Sequence, residues 1–119
     1  MERNVVVDDD LEDALLLRLT LRCMGHFVLT AINAADGLAW SEGGFPEVVL
    51  LDLEMAGVDG FQTCRMVRDT EWGANALIVA VTGHGEEEDR RRSQEAGFDH
   101  HLVKPVDRYV LDRLIRTKG

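Results

Sequence analysis

Three acids in a row, Asp8, Asp9 and Asp10, follow the apolar run Val5-Val6-Val7, and a fourth, Asp52, follows Val48-Val49-Leu50-Leu51. Carboxylates held close together repel one another and raise one another's pKa unless a cation neutralises them. A hard, oxygen-seeking ion such as Mg2+ (or Mn2+) suits such a set, together with a backbone carbonyl and waters. Two further residues stand in the same kind of place. Thr82, with Gly83 and His84 behind it, follows the run Leu77 to Val81, and Lys104 with Pro105 follows His101 to Val103. Lys104 is one of only two lysines, the other being Lys118, against eleven arginines. A chain so biased to arginine that uses lysine here points to a need for a compact point charge.

Those residues can converge only if the elements carrying them are aligned, and the periodicity says that they are. Continuous apolar stretches predict strands at Val5–Val7, Phe27–Ala31, Val48–Leu51, Leu77–Val81 and His101–Val103, separated by helical patterns. Leu11–Met24 reads as a helix on which Leu11, Leu15 and Leu19 share one face, with Arg18 and Arg22 beside it. Asp10 is placed to cap it, Asp13 lies near its third position, and Gly25 ends it. Further helices are expected at Asp36–Glu42 (closed by Gly43-Gly44), Gly60–Asp69, Glu86–Ala96 (stopped by Gly97) and Asp107–Arg116. Glu86–Ala96 has almost no apolar residue besides Ala96. It depends on Glu86–Arg90, Glu87–Arg91 and Glu88–Arg92 pairs, which predicts a weakly docked helix. Five strand–helix units imply an α/β fold, a doubly wound, five-stranded parallel sheet in the order 2-1-3-4-5 with helices on both faces, a flavodoxin-like three-layer sandwich. In such folds the ligand site lies beyond the carboxyl ends of the strands, and the singled-out residues all sit there.

Composition sets the outer bounds. At 119 residues the chain is expected to be a single domain spanning residues 1–119, large enough to bury roughly two-thirds of the surface of its unfolded chain. The formal net charge of -9 argues against direct binding of nucleic acid or an anionic membrane. The only basic cluster, Arg90 to Arg92, is neutralised by Glu86, Glu87, Glu88 and Asp89 just before it. No apolar run approaches the ~18 residues of a membrane span, and no secretory h-region precedes Val5, so a cytoplasmic protein is the expectation. Cys23 and Cys64 lack a CxxC partner and read as buried or half-buried free thiols. The four histidines lack zinc-site spacing.

The ordered set VVVDDD, LLDLEMAGVDG, VAVTG and LVKP resembles the receiver domain of two-component response regulators and hybrid histidine kinases, over nearly the whole chain. The resemblance implies that Asp52 accepts a phosphoryl group from a phosphohistidine on a sensor histidine kinase or phosphotransfer domain. It also implies that Asp8, Asp9, Asp52 and the backbone carbonyl of Glu54 hold Mg2+ or Mn2+. Lys104 and Thr82 would contact the phosphoryl group, Thr82 and His101 would form the conformational switch, and Glu54 and His84 would tune phosphoryl lifetime. It implies a signalling phosphoacceptor rather than an enzyme acting on other molecules. It further implies an output surface made by the last two helices and the fifth strand. The chemistry is coherent: phosphoryl transfer spreads charge over the equatorial oxygens, so positioning and charge stabilisation carry the catalysis.

The chain departs from the family pattern in two places. Met55-Ala56-Gly57 stands where Met-Pro-Gly is usual, which removes the proline restraint on φ, and His101 stands where an aromatic residue is common. Two rivals fit less well. A haloacid-dehalogenase-like phosphatase needs a second Asp two residues after the nucleophile and then a Thr, where this chain has Glu54 and Ala56. A flavodoxin-like cofactor carrier needs a phosphate cradle where three aspartates stand. No output module follows Arg116, so the domain is expected to stand alone or to come from a longer chain.

Overall fold

The central apolar runs become strands because hydrogen-bonded neighbours cover their backbone and both their faces are buried, while Phe27–Ala31 and His100–Val103 form the less buried edges of the sheet. A computed structural model describes residues 3–33, 36–37, 46–55, 59–83 and 87–116. The strands are β1 (Arg3–Val7), β2 (Phe27–Ala31), β3 (Val48–Asp52), β4 (Leu77–Thr82) and β5 (His100–Val103). All pairings are parallel, in the order β2-β1-β3-β4-β5. The helices are α1 (Leu11–Cys23), α2 (Gly60–Arg68), α3 (Glu87–Ala96) and α4 (Arg108–Arg116). Of the helix expected at Asp36–Glu42, Asp36 and Gly37 are helical and the rest lies outside the described residues.

Alternate strand residues feed two cores, as the period of two requires. Val5, Val7, Val49, Leu51, Ile78 and Ala80 pack with Cys64 and Val67 of α2 and Ala96 of α3. Val6, Val48, Leu50, Val79 and Val81 pack with Leu17 and Leu21 of α1 and Leu111 and Ile115 of α4. The sheet is therefore a rigid slab, and the residues that leave its carboxyl edge inherit its positions.

Helix α1 corrects one expectation. The face shared by Leu11, Leu15 and Leu19 is turned to solvent, and the sheet is met by Ala14, Leu17 and Leu21. Leucines occupy nearly every side of this helix, so periodicity could not choose a face. The choice belongs to the short β1–α1 connection, in which the Asp10 side chain accepts from the backbone N–H of Asp13 at 3.1 Å. Cys23 is exposed, also against expectation, while Cys64 is buried, which pushes its thiol up to about 11. Among the described side chains of α3 the buried ones are Ser93 and Ala96, and Arg92 lies 4.3 Å over the Phe61 ring. The three expected Glu–Arg pairs fall outside the described side chains.

One structural device went unread in the sequence. Arg68, at the end of α2, donates from Nε to the Gly97 carbonyl at 2.8 Å and from one terminal nitrogen to the carbonyls of Gly73 (2.9 Å) and Ala76 (2.7 Å). Its other terminal nitrogen meets Asp99 Oδ2 at 2.7 Å, which also accepts from the Ile78 N–H at 2.8 Å. Gly97 ends α3 at φ +106, and a Cβ there would press on the Arg68 stem at 3.1 Å. Arg68→Met keeps the stem and deletes the fork, stranding half-buried carbonyls. It is expected to destabilise the fold by about 2–3 kcal/mol. Urea unfolding with an unchanged m-value checks this, and a loss under about 0.5 kcal/mol contradicts it.

Candidate functional site

The carboxyl edge of the sheet gathers the charged residues through short, internally bonded turns. Asp8 leaves β1 with its N–H on the Ala31 carbonyl at 3.0 Å, and its Oδ1 accepts from the Asp10 N–H at 2.9 Å. That turn holds Asp8 inward, 1% exposed, and leaves Asp9 on the surface. Asp52 is the last residue of β3, 4% exposed, and its Oδ1 accepts from the Glu54 N–H at 3.0 Å. One carboxylate oxygen from each of Asp8, Asp9 and Asp52 lies within 4.8 Å of the others.

Lys104 leaves β5 with its N–H donating to the Thr82 carbonyl at 2.7 Å. Its ammonium stands 2.8 Å from Asp13 Oδ2, 3.2 Å from Asp8 Oδ2 and 3.5 Å from Asp52 Oδ2. Burial works against the charge of Lys104, but Asp13, Asp52 and Asp8 outweigh it and push its pKa up. Thr82 Oγ1 donates to Glu54 Oε1 at 2.7 Å, and the Gly83 N–H donates to the same oxygen at 2.8 Å.

Asp8, Asp9, Asp52 and Lys104 thus form one cluster, with Thr82 and Glu54 joined at its rim. His101 is elsewhere: it pairs in register with Ala80, and its Nδ1 lies 3.1 Å from Ser93 Oγ on α3. His84 and the turn residues Ala56 and Gly57 lie outside the described residues. Two contacts were not anticipated. Asp13 meets Lys104, although an acid in the first helical turn is already accounted for by the helix dipole. The Glu54 side chain holds Thr82, which depends on how the turn after β3 folds back.

The donor set fits a hard divalent ion. Burial first, and Asp52 alongside, raise the Asp8 pKa to about 6, against the pull of the Asp10 N–H and Lys104. Such crowding is relieved by an ion bound through oxygens. A folded-state pKa raised above the unfolded value gives stability that is present below the unfolded value and lost as pH rises through about 6. An ion bound through Asp8 would have to displace this proton, so Mg2+ is then expected to raise the melting temperature much more at about pH 7.5 than at about pH 5. The comparison with and without ion at each pH cancels other groups, including His26, whose pKa burial lowers. Equal Mg2+ increments at both pH values contradict the assignment of Asp8 as a ligand.

The family model of the response regulator receiver domain matches residues 5–116. PilH of Pseudomonas aeruginosa is 37% identical over 118 residues, covering 98% of this chain and 97% of PilH. The transcriptional regulatory protein AfsQ1 of Streptomyces coelicolor is 35% identical over 113 residues, covering 95% of this chain but 49% of AfsQ1. The chain therefore spans nearly all of one relative and about half of the other. The solved structure of the chemotaxis protein CheY4 of Vibrio cholerae superposes with a TM-score of 0.93 at 24% identity, covering 100% of this chain and 99% of that one. That likeness establishes the shared fold.

Proposed function

The chain belongs to the response regulator receiver family of two-component systems, and from this premise we propose that Asp52 is its phosphoacceptor, serving a sensor histidine kinase or a phosphotransfer domain. The observation that carries the reading is the placement of a buried Asp52 between Asp8, Asp9 and Lys104 at the end of a central strand.

In the proposed step an Asp52 oxygen attacks phosphorus in line, the P–N bond of the donor phosphohistidine breaks, and its electron pair leaves with the imidazole. Asp8, Asp9, Asp52 and the Glu54 carbonyl would hold Mg2+ or Mn2+, which would supply Lewis-acid stabilisation of the transferred oxygens. Lys104 turns an N–H toward one of those oxygens, and Thr82 gives its hydroxyl to another once it leaves Glu54. Asp52 arrives already oriented, because β3 is buried on both faces and the Glu54 N–H fixes its other oxygen.

The same movement of Thr82 begins the switch. His101 exchanges its place beside Ser93 for one nearer the sheet edge, and the surface of α3, β5 and α4 changes with it. Glu54 and His84 set how readily water reaches the phosphoryl group. Residues 1–119 act on this reading as one receiver domain in the cytoplasm. It is a phosphoacceptor with self-catalysed transfer and hydrolysis, and it has no nucleic-acid or membrane contact of its own.

Incubation with acetyl phosphate, followed by intact mass measurement, tests the reading. The expected outcome is a gain of one phosphoryl group with Mg2+ and none with a chelator. No gain, or a gain indifferent to the chelator, contradicts it.

A further inference from the structure

Lys104 is the only ammonium at the site among the described residues, and its shortest contact is not with the acceptor. Nζ lies 2.8 Å from Asp13 Oδ2, against 3.5 Å from Asp52 Oδ2, which is beyond good hydrogen-bond range. Asp13 belongs to no part of the acidic triad. It stands in the first turn of α1, where its N–H is held by the Asp10 cap at 3.1 Å. Ala14 and Leu17 beside it are buried against the sheet. Its position is therefore dictated by helix docking, and the lysine reaches to it. The Lys104 backbone is fixed on the Thr82 carbonyl at 2.7 Å, so the reach is made by the side chain alone.

We infer that Asp13 is a positioning residue that draws the Lys104 ammonium off Asp52 and so restrains phosphoryl binding at that site. The inference rests on Asp52 being the phosphoacceptor. An ammonium has three N–H donors and no acceptor capacity. One is spent on Asp13 and one points to Asp8 at 3.2 Å. A phosphoryl group on Asp52 must compete with Asp13 for the same cation. The Asp13 side chain is 41% exposed, so water screens the pair and the restraint is modest. The chain thereby has a second route to adjusting phosphoryl affinity, apart from the residues on the turns after β3 and β4.

Beryllofluoride, a stable stand-in for the phosphoryl group, allows the test at equilibrium with Mg2+ present and with binding followed by NMR. Asp13→Asn keeps the size and removes the charge, and is expected to tighten beryllofluoride binding about two- to fivefold. Asp13→Glu, which restores a carboxylate on a longer stem, is expected to return affinity toward the unsubstituted chain. In a Lys104→Met background the gain from Asp13→Asn is expected to vanish, since the cation being contested is gone. A purely structural tie between α1 and β5 predicts instead a lower melting temperature with affinity unchanged or weakened. That result, or a gain that persists without Lys104, overturns the inference while leaving Asp52 as acceptor. Failure of the unsubstituted chain to bind beryllofluoride overturns the acceptor reading, and this inference with it.

Discussion

Asp52→Asn is expected to lower phosphoryl acceptance from acetyl phosphate by more than about a hundredfold while leaving the fold intact. The amide oxygen is a poor nucleophile, yet it still accepts the Glu54 N–H that the Asp52 carboxylate accepts at 3.0 Å. The substitution also removes a buried charge from beside Asp8. Part of the upward shift of Asp8 to about 6 comes from Asp52, after the larger contribution of burial, so Asp8 is expected to titrate lower in the variant. Stability in metal-free buffer near neutral pH should therefore match or exceed that of the unsubstituted chain. Mass measurement and thermal unfolding on one sample separate the two effects. Acceptance at the original rate contradicts the assignment, and unfolding would show that the variant tests something else.

Lys104→Met carries the next largest effect, about 10²- to 10³-fold in the rate of acceptance, the usual consequence of deleting one preorganised charge from a transition state. Its second signature is opposite in sign to simple damage. The ammonium contacts Asp8, Asp13 and Asp52 at 3.2, 2.8 and 3.5 Å and partly neutralises them. Without it the metal-free fold is expected to lose about 1–2 kcal/mol, and stabilisation by Mg2+ to grow, because the ion faces no competing cation. A rate within about tenfold of the original contradicts a role for Lys104 in the transfer, and a smaller Mg2+ increment contradicts the electrostatic account.

The parts of this fold that were legible in the sequence are those where one physical requirement dominates. β3 and β4 must bury both faces, so Val48–Leu51 and Leu77–Val81 are unbroken apolar runs, and only Asp52 and Thr82 had to be added at their ends. β2 was also bounded correctly, with Gly25 before it at φ +89, although this edge strand is only partly buried. β1 begins two residues earlier than expected because Arg3 and Asn4 pair with Phe27 and Val28. Asn4 is 1% exposed and its side-chain amide has no partner among the described residues. A buried asparagine in a strand goes against propensity, and the ladder overrides it.

The candidate site divides along the same line. Asp8, Asp9, Asp52, Thr82 and Lys104 each end or follow a strand, so topology alone brings them to one edge. Asp13 and the Glu54 side chain join them through the docking of a helix and the fold of a turn, which local sequence does not encode. The buried face of α1 was illegible for a different reason, an excess of leucine that gave periodicity several equal answers. Arg68 illustrates a third limit. Its three carbonyl partners and Asp99 are scattered from residue 73 to residue 99, and an arginine at a helix end carries no mark of them.

The most direct measurement on the central claim is where the phosphoryl group resides. Borohydride reduces an acyl phosphate to an alcohol, converting a phosphorylated aspartate to homoserine and leaving free carboxylates untouched. After phosphorylation with acetyl phosphate and Mg2+, reduction, proteolysis and peptide sequencing by mass are expected to find homoserine at position 52 and at no other aspartate. Homoserine at Asp8 or Asp9 with position 52 unchanged, or phosphate on a histidine that borohydride does not reduce, would contradict the account.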